Sequence, residues 1–240
     1  MAYASSIVPE LFYPESDGKP MSDNTRQYRW IVTTKENLEI LLVEDSNVFV
    51  AGNLMWYPVE GNTTLCQAPD VMVIFGRPKG ERGSYQQWKE GGIAPQIAFE
   101  IVSPSNTKRE MAEKRDFYEK YGVEEYYIYD PDRFRLPGWI RSGERLIAIA
   151  NMEGWVSPLL GIQFSQSNRD LEIYTPDGQR FLSSIEMNQK MIQQEQRANA
   201  LDEKIRSAVI NLLGLGLSVE QVSVALSISV EAVLDSTTQQ

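Results

Sequence analysis

Two carboxylates stand at positions where an interior β-strand does not normally carry a charge. Asp70 begins the segment 70–75, and Glu100 lies inside the segment 97–102 with apolar residues on both sides. Both segments are short and rich in β-branched and aromatic residues, which predicts strands. A buried charge is costly unless it is paired or binds a metal. A loop position after Pro69 is an alternative explanation for Asp70, but Glu100 requires a partner.

The elements that carry these residues decide whether they can act together. If the two strands are neighbours in one sheet, both carboxylates meet at one end of it and offer oxygen ligands to a hard divalent cation. The pattern after them predicts a helix over 107–121 and a strand over 126–129 that ends at Asp130-Pro131, because proline cannot continue a ladder. A helix between two strands predicts a βαβ unit.

This order of features resembles the Uma-two-type putative restriction endonuclease family, formerly a domain of unknown function, in the PD-(D/E)xK nuclease superfamily. The resemblance covers roughly residues 10–180 and depends most on Pro69-Asp70, the segment 99–105, the helix after it and the strand that ends at Asp130-Pro131. It implies an α/β fold with a restriction-endonuclease-like mixed sheet flanked by helices. It also implies a magnesium-dependent phosphodiesterase site, in which Mn²⁺ could replace Mg²⁺, and a nucleic acid substrate, expected to be DNA.

The superfamily pattern has a lysine two residues after the glutamate, where this sequence has Val102. The site is then either inactive or takes its lysine from the following helix. On that helix Met111, Tyr118 and Tyr121 recur at helical spacing, and Lys114 lies on the same stripe. A lysine stem can pack among apolar groups and bring its ammonium to the end of the sheet, although an ammonium turned to water is the alternative. Tyr118 could support the site from the same row.

Three further polar residues are candidates to support the site. Gln96 and Ser103 flank the glutamate and could orient the groups around a metal, although ordinary strand-end hydrogen bonding would also explain both. Asp23 stands where a helix begins. In the family that the chain resembles, an N-terminal helix flanks the active site and often carries a polar or acidic residue toward it. A helix-capping role is the alternative for Asp23.

The composition narrows the chemistry that is available. The 240 residues include no histidine and one cysteine, which excludes histidine-dependent triads, histidine-ligated zinc and disulfide frameworks. The formal net charge of −10 argues against affinity carried by phosphate contacts alone, although four cations between 108 and 115 cluster beside the proposed site. No segment has the pattern of a leader or a membrane span, so the cytoplasm is the expected location.

The sequence predicts two parts. Residues 1–182 form the nuclease-like domain, in which short strands between 139 and 174 extend the sheet. Residues 183–240 form a coiled-coil-like helical extension, in which Met191, Ala198, Ile205 and Leu212 recur every seven residues, and this pattern favours a homodimer. Two short helices near the end loosely resemble a helix-turn-helix, but the segment 230–234 has no Arg or Lys. Oligomer contact is therefore preferred to DNA docking.

Taken together, these predictions describe a Mg²⁺-dependent endonuclease. Asp70 and Glu100 would bind the metal, and Lys114 would steady the attacking hydroxide or the phosphate. The main alternative is a nuclease fold that has lost catalysis and acts as an assembly or DNA-associated accessory module. Val102 and the acidic charge favour that alternative. The position of the Lys114 ammonium discriminates between the two, because only an enzyme needs it beside the carboxylates.

Overall fold

The computed structural model describes residues 11–18, 20, 22–166 and 170–238, so the first ten residues of the predicted nuclease domain lie outside it. The chain divides into two compact units, the first ending at Ser183 and the second beginning at Ser184. The elements of the first unit are α1 (Thr25–Leu41), β1 (Val48–Gly52), β2 (Trp56–Tyr57), β3 (Val71–Phe75), β4 (Tyr85–Gln86), β5 (Ile97–Ile101), α2 (Lys108–Lys120), β6 (Glu125–Tyr129), β7 (Gly138–Ser142), β8 (Arg145–Ala148), β9 (Gln163–Ser165) and β10 (Glu172–Tyr174).

The first unit is organised around a six-stranded mixed sheet with the order β1-β3-β5-β6-β7-β8. Strands β5 and β6 are parallel and are joined by α2, while the other neighbouring strands are antiparallel. Helix α2 begins with a capping box in which Thr107 and Glu110 satisfy each other's backbone amides. The predicted βαβ unit and the mixed α/β sheet flanked by helices are confirmed.

Alternating side chains divide the interior of this unit between the two faces of the sheet. Ile97, Phe99 and Ile101 of β5 belong to one apolar cluster, which includes Trp30 and Leu38 of α1. Ala98 of β5 belongs to the second cluster, which includes Tyr118 of α2, with Met111 and Phe117 packed against it. Successive strand residues face opposite sides, so Glu100 shares the face that α2 covers.

The predicted extension of the sheet is correct for β7 and β8 and wrong for the strands after them. Strands β9 and β10 pair with each other in a separate two-stranded sheet. Their apolar residues Phe164 and Ile173 are buried in the cluster on the α1 face. Burial of apolar residues against the α1 face of the six-stranded sheet, rather than hydrogen bonding to its edge, therefore positions β9 and β10.

A third buried carboxylate ties β6 to the segment that leads into β9. Glu125 is 1% exposed, and its Oε2 accepts hydrogen bonds from the hydroxyls of Tyr127 at 2.8 Å and Ser157 at 2.5 Å. Its Oε1 accepts the backbone N–H of Leu159 at 2.8 Å. Three donors satisfy this carboxylate, so its burial has a structural explanation.

The second unit contains α3 (Ser184–Gly214), α4 (Val219–Leu226) and α5 (Val230–Thr238). The last part of α3 packs with α4 and α5 around the buried residues Val209, Val222 and Val233. Ile205 and Leu212 of the predicted heptad row pack within this bundle, whereas Met191 of the same row is 60% exposed. Leu201, on the neighbouring row of α3, is 58% exposed. Within the described residues, no helix has the length and hydropathy needed to cross a bilayer.

Candidate active site

The pairing of β3 with β5 brings the two predicted carboxylates to the same end of the sheet. Val71 lies opposite Phe99 in this antiparallel pair, so the same register sets Asp70 opposite Glu100. Asp70 is 7% exposed and Glu100 is 2% exposed. Both are nearly removed from water, which makes their charge expensive unless other groups compensate for it.

The helix that covers this face supplies two partners for Glu100. The Lys114 ammonium lies 2.7 Å from Glu100 Oε2, and the Tyr118 hydroxyl donates to Glu100 Oε1 at 2.5 Å. The Lys114 side chain is 16% exposed, so its stem runs among packed groups and its ammonium does not turn to bulk water. The two residues are four apart on α2 and therefore lie on the same face of the helix, as the sequence predicted.

The peptide groups on either side of Ile101 connect the carboxylates to the first helix. The backbone N–H of Ile101 donates to Asp70 Oδ2 at 2.6 Å. The carbonyl oxygen of Ile101 accepts from the side-chain amide of Gln27 at 2.8 Å. Sequence reasoning did not select Gln27, although one signal was present: a glutamine occupies the core-facing row of α1 with Ile31, Thr34 and Leu38, all of them buried.

With both carboxylates ionised, this cluster would carry two negative charges against one positive charge. Burial and the nearby charge of Glu100 raise the pKa of Asp70 to about 8, against the opposing influence of Lys114. Burial lowers the pKa of Lys114, but the charges of Glu100 and Asp70 outweigh it and leave the pKa above its ordinary value. Burial and the charge of Glu100 also raise the pKa of Tyr118 far above the usual range. At neutral pH Lys114 is therefore a cation, Tyr118 is a neutral donor, and Asp70 is mostly protonated.

Ser103 and Asp23, two of the residues predicted to support the site, form a hydrogen bond with each other. Ser103 is buried, and its hydroxyl donates to the Asp23 carboxylate, as does that of Ser105. These hydrogen bonds lower the pKa of Asp23. The capping explanation of Asp23 is wrong, because the N-cap of α1 is Asn24, whose side chain accepts from the backbone N–H of Gln27. Asp23 instead joins the start of α1 to the segment after β5.

Gln96 does not lie at this site. It precedes β5, and its Oε1 accepts the backbone N–H of Phe75 at 2.8 Å. Phe75 ends β3, whereas Asp70 precedes that strand, so Gln96 belongs to the opposite end of the same strand pair. Four residues of extended chain separate it from Glu100 by about 13 Å. The strand-end hydrogen bond is the correct explanation for Gln96.

The residues at the carboxylate end fit a hard divalent cation. The raised pKa of Asp70 means that this carboxyl keeps its proton at neutral pH, and a bound cation would replace that proton and neutralise the charge of the ionised carboxylates. In the part of the chain that the structure describes, no group of three or more His, Cys, Asp or Glu side chains is arranged to hold a metal. Mg²⁺ typically binds one or two carboxylates and completes its shell with water and substrate phosphate, so the two carboxylates suffice.

Comparison with known proteins shows the family of this chain. The profile of the family Uma2, described as "Putative restriction endonuclease", matches residues 19–195, which is more than half of the chain. This chain belongs to the Uma2 family. Asp70, Glu100 and Lys114 all lie within the part that matches the Uma2 profile.

Among solved structures, the chain is similar to a putative nuclease belonging to DUF820 from Anabaena variabilis ATCC 29413. The two share 14% sequence identity with a TM-score of 0.41, and the match covers 60% of this Uma2 chain and 79% of the other. No curated protein matches the sequence.

Proposed function

We propose that this Uma2 protein is a divalent-metal-dependent endonuclease that hydrolyses phosphodiester bonds of nucleic acid, with DNA as the expected substrate. One observation supports the proposal: two buried carboxylates lie opposite each other at the end of a sheet, the Lys114 ammonium contacts one of them, and ionising both would leave a net negative charge. A structural role does not require this arrangement, because the buried Glu125 on the next strand is satisfied by three neutral donors.

In this proposal Asp70 and Glu100 hold Mg²⁺, or Mn²⁺ in its place. Such an ion supplies Lewis acidity toward the phosphate and makes water more acidic. Tyr118 fixes the Glu100 carboxylate through its hydrogen bond to Oε1. Lys114 remains protonated at neutral pH, so its role is that of a cation which donates to a phosphate oxygen as negative charge develops there. In this role Lys114 would replace the lysine that the superfamily pattern has at the position of Val102.

The test is cleavage of single-stranded and double-stranded DNA and RNA in the presence of Mg²⁺ or Mn²⁺. Asp70→Asn, Glu100→Gln and Lys114→Met keep the approximate shape of each side chain and should each lower the rate at least a hundredfold. Asp116→Asn is the matched control, because Asp116 lies on α2 two residues from Lys114 with a side chain that is 70% exposed. Cleavage that survives all three site substitutions would refute this assignment of the site.

The alternative function is an assembly or DNA-associated accessory module, and the exposed apolar residues of α3 favour it. Met191 and Leu201 are mostly exposed on a helix of 31 residues. In this second proposal they form the contact of a homodimer. Sedimentation of the wild type as a dimer, and of Met191→Glu/Leu201→Glu as a monomer, would support the contact. Absence of cleavage, together with no stabilisation by Mg²⁺ or Mn²⁺, would favour the accessory module over the enzyme.

A further inference from the structure

A cavity of about 520 Å³ lies beside the carboxylates, between α2 and the strands β6 and β7. Ile128 lines it and is the parallel pairing partner of Glu100, so the cavity begins one strand, or about 5 Å, away from the proposed metal ligand. Its apolar lining consists chiefly of Val102, Met111, Ile128 and Trp139. Trp139 stacks on Tyr126 with 5.4 Å between the ring centroids, which holds its ring in place.

The rim of this cavity is cationic, although the chain as a whole is acidic. Lys108, Arg115, Arg133 and Arg135 line it, against one carboxylate, Asp130. Arg133 is paired with Asp130, and Arg115 is paired with Asp116 outside the cavity. The side chains of Lys108 and Arg135 form no ion pair with any residue that the structure describes.

The first turn of α2 adds to the positive electrostatic potential at the rim of the cavity. Asn106 and Thr107 line the cavity together with Lys108, so the positive end of a helix of 13 residues lies at its edge. Glu110 is the opposing charge there, and its carboxylate is engaged in the capping box and with the side-chain amide of Asn106. An anion entering the cavity would therefore meet two unpaired cations and a helix N-terminus.

We propose that this cavity binds one unpaired nucleotide of the substrate strand, next to the phosphate that is cleaved. This inference rests on the proposed function and specifies its substrate. The base would stack on Trp139 over the apolar lining, and the phosphates of that nucleotide would lie against Lys108 and Arg135. The volume falls in the range of about 300–1,000 Å³ that is usual for small-molecule pockets. A base inside a duplex cannot enter such a cavity without leaving its stack, so the substrate is single-stranded, frayed or flipped at this position.

The phosphate contacts are tested by the salt dependence of binding. Fluorescein-labelled dT₁₂ and rU₁₂ are titrated with protein in EDTA, and anisotropy is followed at several salt concentrations. For a single strand each lost phosphate contact lowers the slope of log K against log salt by about 0.7, so Lys108→Ala/Arg135→Ala should lower it by about 1.4. The control Arg109→Ala/Lys120→Ala removes the same charge from α2 outside the cavity lining and should leave the slope unchanged. Equal slopes for the two double variants would overturn the proposal.

The base contact is tested by combining Trp139→Leu with an oligonucleotide that carries abasic linkers in place of its bases. Stacking of one base on an aromatic ring corresponds to roughly tenfold in affinity. Trp139→Leu should therefore weaken binding of dT₁₂ or rU₁₂ about tenfold and leave binding of the abasic strand unchanged. Equal losses on both strands would mean that the substitution acts through the fold, and would overturn the stacking contact. The comparison of dT₁₂ with rU₁₂ shows which sugar the cavity prefers.

Failure of this inference and failure of the nuclease proposal give different results. Binding in EDTA does not require cleavage. A protein that cleaves nothing can therefore still show a lower salt slope for Lys108→Ala/Arg135→Ala and weaker binding of dT₁₂ by Trp139→Leu. Conversely, the protein could cleave nucleic acid with metal while its binding is unchanged by Lys108→Ala/Arg135→Ala. That result would support the nuclease proposal and refute binding of a nucleotide in the cavity. Tighter binding to a fully paired duplex than to either single strand would also overturn the inference.

Discussion

Replacing Asp70 by asparagine should make the protein more stable at high pH while removing its activity. Asparagine keeps an oxygen that can accept the Ile101 N–H and removes the charge that Glu100 and Lys114 leave unbalanced. In the wild type the pKa of Asp70 rises from an ordinary value of 3.8 to about 8 on folding. Between these values the folded protein holds a proton that the unfolded chain releases, so stability is fully present below about pH 4 and falls until about pH 8.

The size of this effect follows from the same two values. Each pKa unit corresponds to about 1.4 kcal/mol, so the wild type should lose up to about 6 kcal/mol of unfolding free energy over this range. Asp70→Asn should not lose it. The two proteins should therefore have similar stability at about pH 4. The variant should be more stable by about 2 kcal/mol at pH 5 and by about 5 kcal/mol at pH 8.5. The chain has no histidine, so few other groups titrate between these limits.

The assay is urea unfolding of both proteins in EDTA at half-unit intervals from pH 5 to 8.5. The difference between the two unfolding free energies isolates Asp70. Asp116→Asn is the control, because its exposed side chain should change stability by less than about 1 kcal/mol at every pH. Parallel pH profiles for the wild type and Asp70→Asn would refute the reasoning. Adding Mg²⁺ at pH 8 should stabilise the wild type more than Asp70→Asn, since a ligand stabilises only the form that binds it.

Three further substitutions distinguish functional from structural contacts. Lys114→Met should cost about 3–5 kcal/mol at pH 8, because it leaves two buried carboxylates without their cation, and less at pH 6, where Asp70 is protonated. Tyr118→Phe removes the donor to Glu100 and should cost about 1–3 kcal/mol while lowering the cleavage rate. Ser157→Ala removes a donor to Glu125 and should cost a similar amount without changing the rate at a temperature where the variant is folded. Urea unfolding and cleavage rates measured on the same preparations check all three, and loss of cleavage in folded Ser157→Ala would contradict the distinction.

The carboxylate end of the sheet could be predicted because each strand and helix that forms it is recognisable from a few consecutive residues. Strands that carry an unexpected Asp or Glu are visible in a few residues, and the spacing of Met111, Tyr118 and Tyr121 fixes the row on which Lys114 lies. A buried row on a helix between two parallel strands can only face the sheet. Periodicity and connectivity therefore predicted that Lys114 lies on the face toward Glu100, but they left open whether its ammonium contacts the carboxylate or turns to water.

The contacts that were missed depend on parts of the chain that are distant in sequence. Gln27 reaches a carbonyl 74 positions away, and periodicity on α1 shows only that this residue is buried. Asp23 and Asn24 are both good N-cap residues, and the choice between them is made by Ser103 and Ser105. Gln96 was misassigned because proximity in sequence to Glu100 is not proximity in space along an extended strand.

The position of Ile101 offers a way to observe the site without altering it. Its amide hydrogen points at Asp70, while the carbonyl of the same residue is held by Gln27. An isotope-labelled sample thus carries a natural spectroscopic reporter: the nitrogen and proton shifts of this one amide respond to the charge state of the carboxylate it contacts. Titration of protons, and separately of Mg²⁺ at high pH, should each shift this resonance because each reduces the negative charge of Asp70. The hydrogen-exchange rate of this amide should record how often α1, β3 and β5 separate.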